Sequence, residues 1–581
     1  MRRPARGFSW KICCGSTFEG MKPCALALLL SLSLLGQEDI RNTRVLHTDS
    51  HLTMPVYKTR AEWEQRKVVL KAQIQTALGL DPMPAKNPLH AQIFDRIVMR
   101  DCTIEKVLIE TMPGYYVGGN LYRPLTPGKH PAVLNPHGHW QYGRLENQQL
   151  YSGPQLGSNF ARQGYVVFAW DMVGYNDTLQ TPHAFGTPAD RLWGFGPAGL
   201  QIWNTIRAID FITSLDDVDT SRVGLTGASG GATQTFLTAA LDDRVQFLAP
   251  VNMVSGIMQG GDFCENAPGL RYQTNNVEIA AMAAPRPMML VSATGDWTKN
   301  VPSEEFPAIR SIYALYGKPE NVANVHLDAP HNYNKQNREF VYRFFGKHML
   351  QDSAAGEISE RDAPVPMLQD MLATSRRPLP AGAATYAQVA QMWRNWTGTN
   401  EPKAALTRAI GAKWPGSAVT DDGSVLLWEG TRVPYTFVAG QGSPVLVIGG
   451  TKADIPVGRP GVVLDVFQTG RAVLARDRNV KHFSAFNQSD DQARVQDILT
   501  GLAWLGTKYP GATVELTGVG TAGAVWAEFA AAIAPIKVNL KADLKNFMGT
   551  DDDFLQYFNV PSIQLAGGLA AAQKVLAQTS H

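Results

Sequence analysis

The sequence predicts an α/β fold with a mostly parallel central sheet flanked by helices, present twice along one chain. Short apolar runs bounded by glycine, proline and aspartate are typical of buried parallel strands. Stretches with helical spacing alternate with these runs; Ile202, Ile206 and Ile209 show the spacing most clearly. A similar order of runs then recurs after a connector that contains proline, alanine and glycine. Such alternation favours an α/β architecture with a mostly parallel sheet.

The elements of the first unit follow in order along the chain. An amphipathic helix is predicted first, and Pro113-Gly114 predicts the turn between an early pair of strands. Apolar runs then predict strands over 102–111, 115–122, 132–134, 166–170, 223–225, 247–251, 288–291 and 325–327. The helices are expected over 59–80, 200–215 and, closing the unit, about 337–350.

The second unit repeats these signals in compressed form. The segment 386–396 mirrors the early helix, and 425–428 with 435–439 mirror the strand pair. Leu516-Thr-Gly-Val-Gly-Thr-Ala-Gly523 parallels Leu225-Thr-Gly-Ala-Ser-Gly-Gly231, both in the same position along their unit. A tandem duplication explains these matches, although two unrelated α/β domains also share such glycine-rich turns.

The chain of 581 residues divides into five predicted parts. Residues 1–36 contain a short basic region, about a dozen apolar residues and a small residue at the exit, which predicts a signal peptide and a secreted or periplasmic protein. An uncleaved anchor is the alternative, and Met21 is a second candidate for the initiator. The remaining parts are a helical segment packing on the first unit, the first α/β domain, a connector and the second α/β domain, at 37–95, 96–352, 353–384 and 385–581.

Charge and cysteine content narrow the function classes. The formal net charge is +2, without a basic stripe, so no nucleic-acid surface is expected. Two cysteines, Cys102 and Cys264, lie beyond the predicted signal, and the sequence leaves open whether they pair. No cofactor is predicted.

Gly227-Ala-Ser229-Gly-Gly231 lies between a predicted strand and a predicted helix. This is the setting of the G-x-S-x-G nucleophile elbow, in which small neighbours allow a strained turn to present the serine hydroxyl. We therefore expect Ser229 to be a nucleophile. The alternative is a structural turn, since glycine and serine are common in turns.

A serine nucleophile requires a base and a group that orients the base. In the chain order serine, acid, histidine, Asp296 follows a late strand and His331 follows the last one. These are the expected acid and base. Asp262 and Glu265 remain alternatives for the acid.

The oxyanion of an acyl-transfer intermediate needs backbone N–H donors. We expect Gly230 to supply one and His139 the other, with Trp140 as an alternative to His139. The pair His137-x-His139 is also a pattern of metal ligands, but no further cluster of histidines or acidic residues follows nearby in the sequence. No metal is therefore predicted.

Several large side chains are expected on the loops around Ser229. Their aromatic faces suit sugar rings, or they form the wall of an apolar acyl pocket. A segment at 252–276 adds an arginine that could meet an acidic substrate group or form a structural ion pair. The candidate substrate-binding residues are Trp140, Tyr142, Trp193, Arg271, Trp297 and Tyr333.

The first unit, over about residues 60–350, resembles the secreted α/β-hydrolase esterases, in particular the acetyl xylan esterases and related carbohydrate esterases. The segments that carry the resemblance are His137-Gly-His139, Asp171-Met-Val-Gly174, Gly227-Ala-Ser-Gly-Gly231, Thr294-Gly-Asp296-Trp297 and Ala329-Pro-His331-Asn-Tyr333. The resemblance implies an α/β-hydrolase fold, with Ser229 as nucleophile, Asp296 as acid and His331 as base. Prolyl-oligopeptidase-type peptidases share this core, but the chain has no repeated propeller-like segment upstream.

The expected function is therefore a secreted serine esterase that removes acetyl or methyl esters from a plant polysaccharide such as xylan. The alternatives are a peptidase, a general carboxylesterase, or a secreted carbohydrate-binding protein without activity. The second unit has Gly520 at the serine position and Ile448-Gly-Gly-Thr451 in place of the histidine loop, which predicts a degenerate, non-catalytic hydrolase-like domain. The oligomeric state is left open.

Overall fold

A computed structural model describes residues 38–396 and 401–579. The predicted signal peptide, residues 1–36, lies outside the described residues. Among the helices that are described, none combines the length and the apolar character that crossing a membrane requires.

The first unit is built on a nine-stranded sheet in the order β1-β2-β3-β7-β4-β8-β9-β10-β11. The strands β1 to β3 and the neighbour pair β3·β7 are antiparallel, and all other neighbours are parallel. A separate two-stranded ribbon is formed by β5 and β6. The strands are β1 Gln92–Val98, β2 Cys102–Met112, β3 Tyr115–Pro124, β4 His130–Pro136, β5 Asn147–Gln148, β6 Tyr151–Ser152, β7 Val166–Trp170, β8 Val218–Ala228, β9 Phe247–Val251, β10 Met288–Gly295 and β11 Val322–Pro330.

The helices of the first unit confirm the predicted alternation. The early helix begins after Thr59, whose hydroxyl accepts a hydrogen bond from the Glu62 N–H. The closing helix ends as an α-helix at Phe345 and continues as a π-helical turn, Gly346–Leu350. The α-helices are Arg60–Ala77, Gly153–Arg162, Pro188–Leu192, Pro197–Thr213, Gly230–Leu241, Asn276–Ala281, Glu305–Leu315, Lys335–Phe345, Leu368–Met371 and Tyr386–Arg394. The short helix Ile40–Thr43, which was expected to pack on the first unit, contacts the second unit instead, because Arg41 pairs with Asp497 at 2.7 Å.

The second unit contains a seven-stranded sheet in the order β12-β13-β14-β16-β15-β17-β18. The large sheet begins with the same order, once β5 and β6, which lie outside it, are left out of the count. In both sheets the first three strands follow chain order, the fifth strand precedes the fourth, and the sixth and seventh follow. The strands are β12 Thr420–Asp421, β13 Val425–Trp428, β14 Thr431–Val438, β15 Val445–Ile448, β16 Gly461–Leu464, β17 Val514–Gly518 and β18 Val538–Ala542. The helices are Pro402–Ile410, Phe483–Phe486, Asp490–Lys508, Gly520–Ile533, Asp551–Tyr557 and Gly568–Thr579. The predicted α/β class with a large, mostly parallel sheet is confirmed.

The hydrophobic cores place one boundary differently from the sequence analysis. Val389 and Trp393, on the helix Tyr386–Arg394, are fully buried in the same core as Trp63 and Ile74 of the first unit. The core of the second unit includes Leu406, on the helix Pro402–Ile410. The helix expected to open the second unit therefore packs on the first, where the ring of Trp393 lies 5.4 Å from that of Phe195.

The strand β1 was not predicted. Its residues are half-buried or exposed, and it lies at the edge of the sheet, paired on one side with β2. An edge strand of this kind carries little of the apolar periodicity from which strands are inferred.

A buried ion cluster fixes the loop that follows β7. The guanidinium of Arg144 pairs with Asp171 and with Asp177, and all three side chains are fully buried. Asp171 also accepts hydrogen bonds from the Asn176 amide and the Asp177 N–H. Burial raises the pKa of Asp171 to about 6, against the opposing effect of the guanidinium.

Replacing Arg144 with methionine is expected to lower the free energy of unfolding by about 3–5 kcal/mol, because two buried carboxylates lose their counter-charge. Urea unfolding at pH 7 measures the difference. Arg100→Met is the matched control, since the Arg100 side chain is 88% exposed and should change stability by less than about 0.5 kcal/mol. Equal stability of the two variants would contradict a structural role for the cluster.

Candidate active site

Ser229 lies in a strained turn between β8 and the helix Gly230–Leu241. Its backbone adopts φ 58° and ψ −125°, a conformation that side chains rarely adopt outside such turns. A Cβ at Gly227 or Gly231 would collide with the carbonyl oxygen of Pro136, at the end of β4. The glycines therefore allow β4 to approach the turn, and the structure shows the strand–turn–helix geometry that the elbow sequence predicts.

His331 and Asp296 lie on the loops that follow β11 and β10. The Nδ1 of His331 is 2.9 Å from the Oδ2 of Asp296, whose side chain is 1% exposed. The other carboxylate oxygen, Oδ1, accepts a hydrogen bond of 2.7 Å from the backbone N–H of Thr298. The carboxylate thus holds a proton on Nδ1 and leaves Nε2 of the imidazole with a free lone pair.

Contacts beyond β9 bring the serine and the histidine loops to the same edge of the sheet. The Ser229 N–H donates to the carbonyl of Val251, 3.0 Å away. The amide of Asn252, the next residue, donates to the carbonyl of Asn332, also at 3.0 Å. Because the strands β8 to β11 are parallel neighbours, Ser229 and His331 both lie at their carboxyl ends, where such sheets place their sites.

The loop after β4 passes beside the serine. A Cβ on Gly138 would lie 3.0 Å from the Cβ of Ser229. The N–H of Trp140 donates to the Gly138 carbonyl at 2.8 Å, whereas the His139 N–H has no hydrogen-bond partner within the described part of the chain. Gly230 is the first residue of its helix, so its N–H has no partner in that helix. The geometry favours His139 over Trp140 as the second oxyanion donor.

The chain is similar to known esterases in sequence and in structure. The solved structure of Methylesterase BT1017 is 31% identical in sequence, over 58% of this chain and 75% of that chain, with a TM-score of 0.51. The family model for acetyl xylan esterase matches residues 99–253. The chain belongs to the acetyl xylan esterase-like carbohydrate esterases.

Two further relatives of this esterase show the same likeness at lower coverage. YtaP of Bacillus subtilis (strain 168) is 27% identical over 260 residues, which are 41% of this chain and 84% of that protein. Acetyl esterase Axe7A of Xylanibacter ruminicola is 28% identical over 158 residues, 25% of this chain and 34% of that protein.

The two carboxylates that the sequence left open as alternatives for the acid, Asp262 and Glu265, face other residues in this esterase. Glu265 accepts a hydrogen bond from the Thr233 hydroxyl at 2.8 Å, and Asp262 lies 3.7 Å from Nε2 of His139. Within the described part of the chain, neither carboxylate forms a hydrogen bond or an ion pair with His331. Burial lowers the pKa of His137 to about 3, and its ring nitrogens contact the Gly138 carbonyl and the Met172 N–H, so this imidazole is neutral and structural.

Two of the six candidate substrate-binding residues lie against the imidazole of His331. The ring of Trp297 is 4.4 Å from the ring of His331, centroid to centroid, and Trp140 stacks at 6.2 Å. Tyr142 is 45% exposed and borders a small surface cavity of about 290 Å³. These three positions stay compatible with contact to a substrate.

The other three candidates are corrected by the structure. Tyr333 is fully buried, with its hydroxyl 2.8 Å from that of Thr226. Arg271 is also fully buried, and its guanidinium donates to the backbone carbonyl of Glu265 and to the side-chain oxygens of Asn266 and Asn276. Trp193 donates from Nε1 to Asp551 of the second unit, 2.9 Å away, so its indole belongs to the contact between the units. None of these side chains is free to meet a substrate.

A cluster beside the site was not predicted. Nε2 of His139 lies 3.1 Å from Nε2 of His183 and 3.1 Å from Sγ of Cys264. His183 and Cys264 are 44 and 125 residues away from His139 along the chain, so no local motif connects them. Cys264 and Cys102 are both buried free thiols, so they do not form a disulfide in this structure.

Proposed function

We propose that this esterase removes acetyl or methyl groups from a plant polysaccharide such as xylan, through a Ser229–His331–Asp296 triad. The observation that carries the proposal is the 2.9 Å contact between His331 and the buried Asp296, at the sheet edge that also carries the strained Ser229. The names of two relatives, a methylesterase and an acetyl esterase, support both kinds of ester. Secretion is supported by the signal-like segment 1–36.

The proposed reaction proceeds through an acyl-enzyme. Ser229 Oγ attacks the ester carbonyl while His331 Nε2 takes its proton, and Asp296 stabilises the resulting imidazolium. The N–H groups of Gly230 and His139 donate to the oxyanion. The imidazolium then returns the proton to the departing alcohol oxygen, and the acyl group remains on Ser229. Water, activated by the same imidazole, attacks the acyl carbon and releases the acid, which restores Ser229.

We propose further that the second unit is a degenerate copy of the first. The shared strand order supports a tandem duplication. Gly520 is the first residue of the helix Gly520–Ile533 and has φ 69°, close to the φ 58° of Ser229. The left-handed backbone conformation at the elbow position is therefore retained, while the serine hydroxyl is missing. Without a nucleophile this unit performs no acyl transfer.

Covalent labelling tests the function. A fluorophosphonate probe reacts with an activated serine, so it should modify Ser229 once per chain, as located by peptide mass spectrometry. His331→Ala should lose most of the labelling, because the hydroxyl is then no longer deprotonated. The wild type should also release acetate from acetylated xylan or methanol from methylated pectin. Labelling of a different serine, or no hydrolysis of any ester, would contradict the proposal.

A further inference from the structure

Four ligand-type atoms meet beside the candidate active site. They are Nε2 of His139, Nε2 of His183, Sγ of Cys264 and Oδ2 of Asp262. The first three lie within 4.8 Å of one another. Asp262 Oδ2 is 3.7 Å from the His139 nitrogen and 3.8 Å from the His183 nitrogen. The four residues come from three loops, after β4, β7 and β9, so the fold brings them together.

The separations suit a tetrahedral ion. Zn²⁺ binds nitrogen at about 2.0–2.1 Å and sulfur at about 2.3 Å, which places tetrahedral ligand atoms about 3.3–3.7 Å apart. Four of the six separations among these atoms are 3.1, 3.1, 3.7 and 3.8 Å, which bracket this range. For these four pairs, a central cation would need shifts of a few tenths of an ångström. The fifth pair, Nε2 of His183 and Sγ of Cys264, lies within 4.8 Å.

Hydrogen bonds alone do not satisfy this cluster. Nδ1 of His183 lies 2.7 Å from the Val173 carbonyl, which only accepts, so Nδ1 carries the proton and Nε2 of the neutral ring presents a lone pair. Nε2 of His139 can donate to that lone pair or accept from the Cys264 thiol, but it cannot do both. One of the two 3.1 Å contacts therefore lacks a hydrogen bond, and a cation would satisfy both.

We propose that His139, His183 and Cys264 bind one Zn²⁺ ion, with the carboxylate of Asp262 as the fourth ligand. The thiol proton of Cys264 passes to solvent when the sulfur coordinates the ion as a thiolate. Two imidazoles, a thiolate and a carboxylate match the ligand preferences of zinc rather than those of Mg²⁺ or Ca²⁺. The Val173 carbonyl keeps the proton of His183 on Nδ1, so that Nε2 is free to bind the ion. Metal-binding histidines commonly donate their other ring N–H to a carbonyl or carboxylate in this way.

Solvent reaches the proposed site. The side chains of His139, His183 and Asp262 are 25%, 20% and 37% exposed. Asp262 also lines a cavity of about 1000 Å³ between the two units. An ion bound here would join the loop of His139 to the 252–276 segment. If the proposed function holds, it would thereby fix the backbone donor of the oxyanion; zinc binding itself does not depend on that function.

Metal binding to the full-length protein tests the proposal. After treatment with a chelator and its removal, titration with Zn²⁺ should show one ion per chain by calorimetry and elemental analysis. Cys264→Ala and His183→Ala should each weaken this binding by about 100-fold or more, because each removes one ligand. Cys102→Ala and His51→Ala are the matched controls, since these side chains lie outside the cluster, and they should bind as the wild type does.

Cobalt keeps the proposal testable even if a variant fails to fold. Co²⁺ bound to the stripped wild type should show a thiolate-to-cobalt charge-transfer absorption, which Cys264→Ala should lack and Cys102→Ala should keep. Circular dichroism identifies any unfolded variant. The proposal is overturned if the wild type binds no Zn²⁺, if its cobalt spectrum lacks the thiolate band, or if folded Cys264→Ala binds Zn²⁺ as tightly as the wild type.

Discussion

Ser229→Ala is expected to lower kcat for p-nitrophenyl acetate by about 10⁴-fold or more, since the change removes the atom that bonds to the acyl group. The residual rate would come from the oxyanion donors and from substrate binding alone. The fold should survive, because the Ser229 backbone is held by its N–H bond to Val251, and alanine tolerates the turn about as well as serine. Steady-state kinetics with the purified variant and a thermal unfolding scan measure both quantities.

Ser303→Ala is the matched control for this experiment. Ser303 is exposed and donates only to the Asn300 carbonyl, so its loss should change kcat by less than twofold. Equal activity of wild type and Ser229→Ala would show that another group is the nucleophile. Absence of activity in the wild type on all acetyl and methyl esters would contradict the proposed function itself.

The features that the sequence predicts well are those set by local geometry. The elbow at Ser229 needs a strand, small neighbours and a helix within about a dozen residues, and all of these are visible in one segment. Asp296 and His331 are each placed by the end of an apolar run, and the parallel sheet brings such ends to one edge. Their meeting at 2.9 Å therefore follows from topology once the strands are assigned.

The side chains that the sequence misplaced depend on distant partners. Trp193 is on a loop of the first unit, but its indole N–H donates to Asp551, which lies 358 residues later in the chain. The charge of Arg271 predicts an exposed side chain, yet the residue is fully buried and donates to three acceptors of its own segment. Burial of this kind is a property of the assembled fold, and neither hydropathy nor spacing reports it.

The helix Tyr386–Arg394 illustrates the same limit at the level of domains. Its similarity in position to the helix Arg60–Ala77 predicts that it opens the second unit. In the structure its buried face, with Val389 and Trp393, joins the first core. A periodic apolar face shows that a helix must be covered, but not by which unit.

Asp296→Asn is expected to lower kcat/KM by about 10³- to 10⁴-fold, through the tautomer of His331. The Thr298 N–H donates to Oδ1 of Asp296 and will keep an oxygen at that position in the variant. The new amide nitrogen then faces Nδ1 of His331, where the carboxylate Oδ2 accepts at 2.9 Å in the wild type. Because an amide N–H only donates, Nδ1 must become the acceptor and the ring proton moves to Nε2. An Nε2 that carries a proton cannot take one from Ser229.

Asp328→Asn separates this effect from a general change of charge at the same sheet edge. Asp328 is exposed on β11 and accepts from the Thr294 hydroxyl, so its neutralisation should leave kcat/KM within about twofold of the wild type. Activity within tenfold of wild type in Asp296→Asn would contradict the assignment of the acid. Glu265 and Asp262 would be poor substitutes even then, because their carboxylates face Thr233 and the His139–His183 pair. The imidazole of His331 has its one charged partner in Asp296, among the ion pairs of the described residues, so its tautomer depends on that single carboxylate.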